Sequence, residues 1–429
     1  MKKFSLRKKL LSSAMATALV SGFAFSGNAN AVEVAADGTG QVLLGPLYIV
    51  AARHAETGDV LARGTTHIRI INSSSTHAVK ARIAFRSKVN CTEVLDFILY
   101  LSPNDAWRGR VVNVDDQAYL VSEDDSVRNL PNDDSFASVE GKTANVKFFD
   151  VNLAGNDYNE MGLFEVIGAY SARGTVITPL GNVIVKQGMS KFELRKIFDT
   201  SIESLLDING CTTSGATGGC VIRTDEPASV QLRGEVSIVI GEKISYPMLA
   251  LDQGGNTDDV NGGKVIANPY YDVAVKMSVD MGTGFGIDGS DTISDIETAL
   301  SGKSFISANE NNSIVFVTLP TKYKHFVDVP GSATDTWSFP FNSTGSVDYE
   351  LRQFDNQERE AESTSIAVSG GKTSEQTITS CVEWFMPNWA FDSGWYSLNL
   401  DMIRATGVPA WVGTLNGLGG DFFLNSRIQ

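Results

Sequence analysis

The chain has 429 residues, 42% of them hydrophobic, with 40 glycines, 12 prolines and a formal net charge of −15. That composition excludes a disordered tail, and the acidic balance excludes a protein drawn to nucleic acid or anionic lipid by long-range attraction. The length suits one large β domain or two ordinary ones.

At the start, Lys2, Lys3, Arg7, Lys8 and Lys9 precede an apolar stretch from Leu10 to Phe25, followed by Ala29-Asn30-Ala31. This order of charge, apolar run and small residues predicts a cleavable secretory signal over 1–31, with Ala29 and Ala31 at the positions a signal peptidase reads. The run is too short, and too rich in Ser, Ala and Gly, for a transmembrane anchor of roughly 20 strongly apolar residues. Cleavage removes five of the 35 bases and none of the 50 acids, which takes the mature chain from −15 to −20.

Period-two alternation then predicts strands. Val79, Ala81, Ile83 and Phe85 share one face, with Lys80, Arg82 and Arg86 opposite. The reading is a half-buried strand whose basic residues form an interaction face. Val94–Leu101 is almost continuously apolar and reads as a central strand covered on both sides, ending in a sharp Ser102-Pro103-Asn104-Asp105 turn. From Arg63 to Arg110 eight bases face three acids, whereas Asp115–Asp134 carries seven acids and only Arg128. A basic sheet face beside an acidic loop fits pairing within the chain or solvation, and, as the second reading, head-to-tail contacts between copies of the kind that build filaments or layers.

Helical spacing appears from Lys191 to Asp207, where Leu194, Ile197, Phe198, Ile202, Leu205 and Leu206 recur, and Ser190 with Glu193 forms a capping box. A shorter candidate helix runs from about Ser294 to Leu300. Further alternation occurs at Leu232–Ile240 and Tyr271–Met281, and Ile314–Leu319 reads as a second central strand. A lobe boundary is expected near 186–225. The fold class is therefore all-β, mainly an antiparallel β-sandwich in one body or two packed lobes, with one or two short helices. An outer-membrane barrel is the rival, disfavoured by the helix, the cysteines and the continuous apolar strands.

Four cysteines in an exported chain predict disulfides. Cys211 and Cys220 bracket a Gly-rich loop and are expected to pair, which leaves Cys91 with Cys381. Histidines 54, 67, 77 and 325 are scattered without zinc-ligand spacing, and no nucleophile elbow or phosphate loop occurs. Calcium is the cofactor to test, since Asp124 and Asp125, then Asp252, Asn256 and Asp258, then Asp288 and Asp291 lie on Gly/Asp-rich stretches that supply hard oxygen ligands. Trp384, Trp389, Trp395 and Trp411 cluster near the C-terminus, where core packing competes with sugar contact. The expected function is that of an exported, non-enzymatic cell-surface or extracellular protein, structural, adhesive or self-assembling, with the periplasm as the alternative destination. A polysaccharide-binding module and a carboxylate-dependent hydrolase are the alternatives, and the expected partners are copies of itself, other surface components or a polysaccharide.

Overall fold

The structure is a computed structural model, and it describes most of residues 32–253 and 297–426. Residues 1–31, 254–296 and 427–429 lie outside the description, as do 54–59, 129–143, 199–219, 224–229, 328–335, 362–376, 401–407, 416–423 and a few shorter breaks.

The described chain is all-β with antiparallel pairing and few helices. In spatial order the first sheet runs Val32–Val34, Leu249–Gln253, Val42–Ile49, Met161–Thr178, Ala78–Ser87 and Glu93–Leu101. The second runs Ala144–Lys147, Gln117–Ser122, Ala106–Val114, Thr65–Asn72, Leu232–Ile240 and Glu242–Pro247. Their facing residues share one core: Ile83, Phe85, Phe97 and Phe164 from the first sheet, Ile68, Ile70, Trp107 and Val236 from the second. Trp107 folds back over its own strand, where a Cβ on Gly109 would stand 2.3 Å from the indole. Only glycine leaves room for that packing.

Two smaller sheets follow. One orders Ser304–Glu310, Ser393–Leu400, Val347–Asp355 and Thr377–Ile378; the other orders Val382–Phe385, Ile314–Thr318, Trp411–Leu415 and Leu424–Ser426. The Ile314–Thr318 strand is central and buried throughout, as its apolar run predicts. Its two faces serve different cores. Ile314 and Phe316 join the first core, whereas Val315 and Val317 join a second one with Phe305, Tyr349 and Leu398.

The sheets do not divide near 186–225. Leu232–Ile240 pairs with Thr65–Asn72, and Leu249–Gln253 with Val42–Ile49, so strands from both sides of that stretch lie in the same two sheets. The two larger sheets draw their strands from residues 32–253 and the two smaller ones from residues 304–426, on either side of the break in the described chain after Gln253. Thr318 donates its hydroxyl hydrogen to the Pro46 carbonyl at 2.6 Å, and Tyr246 packs on Trp411, so the pairs touch across that break.

Helix α1 spans Asp125–Arg128 and α2 spans Lys191–Phe198. The capping box of α2 forms as expected: the Ser190 N–H donates to Glu193 Oε2 at 3.0 Å, and the Glu193 N–H donates to Ser190 Oγ at 3.2 Å. Leu194, Ile197 and Phe198 are the buried side of α2. Residues beyond Phe198 in the expected helix, the Tyr271–Met281 strand and most of the helix near 294–300 lie outside the described residues. Glu93–Leu101 occupies an edge of the first sheet, not its middle, and α1 and α2 pack against it. Helices, in place of a neighbouring strand, account for its apolar run.

Candidate functional site

The alternation of Ala78–Ser87 does sort its two faces, but neither is wet. Lys80, Arg82 and Arg86 are 3%, 2% and 3% exposed, so the interaction face expected of them is not on the surface. Carboxylates from neighbouring strands explain the burial. Arg82 reaches Glu93 at 2.6 Å and Asp96 at 3.0 Å, and Arg86 reaches Glu165 at 2.9 Å. Tyr323, from the 3₁₀ turn Lys322–His325, covers Arg86 and donates its hydroxyl to Glu165 at 3.1 Å. Burial raises the Glu93 and Asp96 carboxyls above their usual range, and the guanidiniums beside them offset only part of that rise. This cluster is an internal clamp between the first sheet and the C-terminal strands. Beside it, Cys91 and Cys381 form the expected disulfide, and the N–H groups of Cys381 and Val382 both donate to the Lys88 carbonyl.

The exposed basic face belongs to the second sheet. Cross-strand pairing sets His67 opposite Arg110 and Arg69 opposite Arg108, and all four side chains point to solvent. Arg233 and Lys243 extend the face onto the next two strands, where the exposed Glu235 stands directly opposite Arg69. Among the described residues Arg69, Arg108 and Arg110 make no ion pair. Partial burial lowers the His67 pKa, and the charges of Arg110 and Lys243 lower it further, so the imidazole senses a positive field.

This face borders an acidic pocket. A groove of about 580 Å³ is lined by His67, Arg108, Arg110, Glu123 and Asp124, among others. A cavity of about 460 Å³ shares Glu123 and Asp124 with it and adds Asp105, Asp125 and Lys191. The Ser102–Asp105 turn, with Asn104 at φ +55°, aims Asp105 into the cavity. Lys191 Nζ enters from the first turn of α2 and lies 2.9 Å from Asp105 and 3.2 Å from Asp124.

An ammonium thus stands where the expected calcium would. Asp124 accepts from the Ser126 N–H at Oδ1 and pairs with Lys191 through Oδ2; Asp105 accepts from the Ala106 N–H at Oδ1 and from the Ser102 N–H and Lys191 at Oδ2. Burial raises the Asp105 pKa, but Lys191 and those backbone donors outweigh it and hold the carboxyl below its usual range. Asp125 is exposed, and its carbonyl accepts a hydrogen bond from Arg195. Among the described residues no three His, Cys, Asp or Glu side chains gather into a metal-binding set. Asp252 lies on the Leu249–Gln253 strand opposite Glu33, with its side chain outside the description. Asn256, Asp258, Asp288 and Asp291 lie outside the described residues, as do Cys211, Ala29 and Ala31. Cys220 begins a strand paired to Gly174, but its side chain is not described, so the expected Cys211–Cys220 bond falls outside the description.

Of the tryptophans, Trp411 is core, Trp389 packs against the second core, and Trp395 stacks on Phe354 with ring centres 3.9 Å apart. No helix among the described residues is long and apolar enough to cross a membrane. No family model, curated protein or solved structure matches the chain.

Sequence reasoning missed Lys191 as the partner of the acidic stretch. Its signal was a lysine placed beside an N-cap, where the helix dipole disfavours positive charge and a local carboxylate is needed to hold it.

Proposed function

We propose that this is an exported, non-enzymatic β-protein of the cell surface or extracellular space that assembles through its charged sheet surface. The observation that carries the reading is the row His67, Arg69, Arg108 and Arg110, solvent-facing on a chain of net charge −15 and bordered by Glu123 and Asp124. A positive face on an acidic protein resists the overall charge and invites an acidic partner. The basic, apolar and small-residue order of 1–31 and the Cys91–Cys381 bond support an oxidising destination. Asp105 and Asp124 of the pocket are engaged by backbone donors and Lys191, which favours a structural role over acid–base chemistry for those two.

The test joins electron microscopy of immunolabelled native cells to the solution mass of the purified protein across concentration and salt. Labelled surface assemblies and a mass above that of one chain are expected. A protein found only as a dilute monomer in the medium overturns the reading.

A second reading, polysaccharide binding, draws on Trp395 and Phe354. They stack nearly parallel at 9° on one face of the sheet that also exposes Ile306, with the Arg352 guanidinium 5.5 Å from the Phe354 ring centre. Loss of glycan-array signal in Trp395→Ala would support it.

A further inference from the structure

Cross-strand register sorts the bases on the exposed face of the second sheet into those with an acidic neighbour and those without. Continuing the pairing of Ala106–Val114 with Gln117–Ser122 sets Glu123 opposite Arg108, and Glu235 stands opposite Arg69. The Asp37 carboxyl, held below its usual range mainly by hydrogen bonds from Thr39, also feels Arg233, so that base too has an acid in reach. Arg110 and Lys243 differ. Arg110 lies between Val121 and His67, Lys243 is paired with Val239, and neither makes an ion pair among the described residues. Between them on the same face stand His67, Ser237 and Ser245, the two serine hydroxyls 2.6 Å apart. Partial burial lowers the His67 pKa, Arg110 and Lys243 lower it further, and no acid opposes them. The other charged groups facing His67 are Arg69 on its own strand, with Arg108 and Glu235 diagonal to it.

We propose that Arg110, His67 and Lys243 form a docking site for a carboxylated polysaccharide, laid across the strands from Arg110 past Ser237 and Ser245 to Lys243. The inference rests on the assembling reading above and adds its acidic partner, since one polymer with many repeats gathers many copies. The site spans roughly 14 Å, three strand spacings. A guanidinium takes a carboxylate through two parallel hydrogen bonds, and the imidazole and ammonium supply further donors. The serine hydroxyls meet sugar hydroxyls between the charges. Glu123, beyond Val121 on the outer strand, repels the polymer and closes the site at the Arg110 end. The net charge of −15 opposes the polymer at long range. At physiological salt that repulsion is screened beyond about 8 Å, whereas contacts at the site are closer. A nucleic acid fits less well. Its charges follow one another every 1.7 Å or so of duplex, so phosphates would fall on Glu235 and Glu123 as well. The described exposed positions of the face also carry no Phe, Tyr or Trp on which bases could stack.

Titration calorimetry of the purified protein with polygalacturonate tests the proposal, with dextran and dextran sulfate as the neutral and sulfated comparisons. Wild type is expected to bind polygalacturonate and to ignore dextran. Arg110→Gln and Lys243→Gln should each weaken binding roughly tenfold, the loss of a hydrogen bond to a charged group. Arg110→Lys, which keeps the charge, should lose less, and circular dichroism checks that each variant folds. His67 supplies a readout that a structural role would not move. A bound carboxylate raises its pKa, so binding is expected to strengthen as pH falls from about 8 to about 5, the range in which histidine titrates. His67→Gln should flatten that slope and leave the affinity at the alkaline end in place.

Binding that survives Arg110→Gln/Lys243→Gln unchanged overturns the inference, as does equal binding of dextran. Binding of dextran sulfate without polygalacturonate overturns it in favour of a sulfated polymer, and equally tight binding of single-stranded DNA in favour of a general polyanion surface. Light scattering of the same proteins without polymer separates this inference from the assembling reading. A protein that ignores polygalacturonate, yet gains mass with concentration and loses that mass in Arg110→Gln/Lys243→Gln, gives the face to a second copy: the inference falls and the assembling reading stands. A monomer at every concentration that binds no polymer overturns both.

Discussion

The guanidinium of Arg86 lies 3.8 Å from the centre of the Tyr323 ring, and through that contact the C-terminal strands rest on the buried charges of the first sheet. Arg86 is buried with Glu165, itself 1% exposed. Replacing Arg86 by Met strands a buried carboxylate, and a loss of about 3–5 kcal/mol is expected in urea unfolding. Arg86→Met/Glu165→Gln should recover part of that loss, because the uncompensated charge is gone.

The Cys91–Cys381 bond spans 290 positions of sequence. In the chain-entropy account a loop of that size contributes substantially, so Cys91→Ala/Cys381→Ala should lower stability by roughly 2–5 kcal/mol. Denaturant midpoints of variant and wild type, each measured without reductant, check this.

Burial pushes the Lys322 ammonium down to about 8, with Glu383 opposing the fall only in part. Its folded pKa lies below its unfolded one, so the folded state releases the proton first. The stability contribution of this group therefore rises as pH climbs from about 8 toward 10.5, by up to about 1.4 kcal/mol per pH unit. Lys322→Met should abolish that rise. Melting temperatures between pH 7.5 and 9.5 keep the comparison below the range where the buried tyrosines titrate.

Lys191→Met removes the ammonium between Asp105 and Asp124. The Asp105 pKa should climb back toward or above its ordinary value, as a carboxyl titration by NMR would register.

Tyr48 is fully buried against Phe85 and Phe148, and its hydroxyl has no hydrogen-bond partner among the described residues. Removing an unsatisfied buried hydroxyl relieves a desolvation cost, so Tyr48→Phe should be neutral or more stable by about 1 kcal/mol. A thermal melt showing a clear loss would reveal a hidden partner for that oxygen.

The β-rich class, the start of α2 and the Cys91–Cys381 pair were legible in the sequence because each rests on local pattern or cysteine arithmetic. Exposure was not. Alternation along Ala78–Ser87 separates two faces, but only the partners Glu93, Asp96, Glu165 and Tyr323, brought in from other strands, decide that the charged face is dry. The same limit misplaced Glu93–Leu101, since a strand covered by helices carries the same apolar run as one covered by strands. The acidic stretch read as calcium-binding for want of Lys191, which is distant in sequence and adjacent in space. Arg108 and Arg110 were visible as charge, but their outward direction depends on Trp107 and Gly109 turning inward.

The long span of the Cys91–Cys381 bond also constrains the order of events as the chain is made. Cys91 emerges with Cys211 and Cys220 behind it, all before Cys381 exists to receive it. A catalyst that joins thiols in order of arrival would marry Cys91 to the wrong partner. Correct assembly therefore requires that Cys91 be kept reduced until the last quarter of the chain has docked, or that a thiol–disulfide shuffler undo the first bond made.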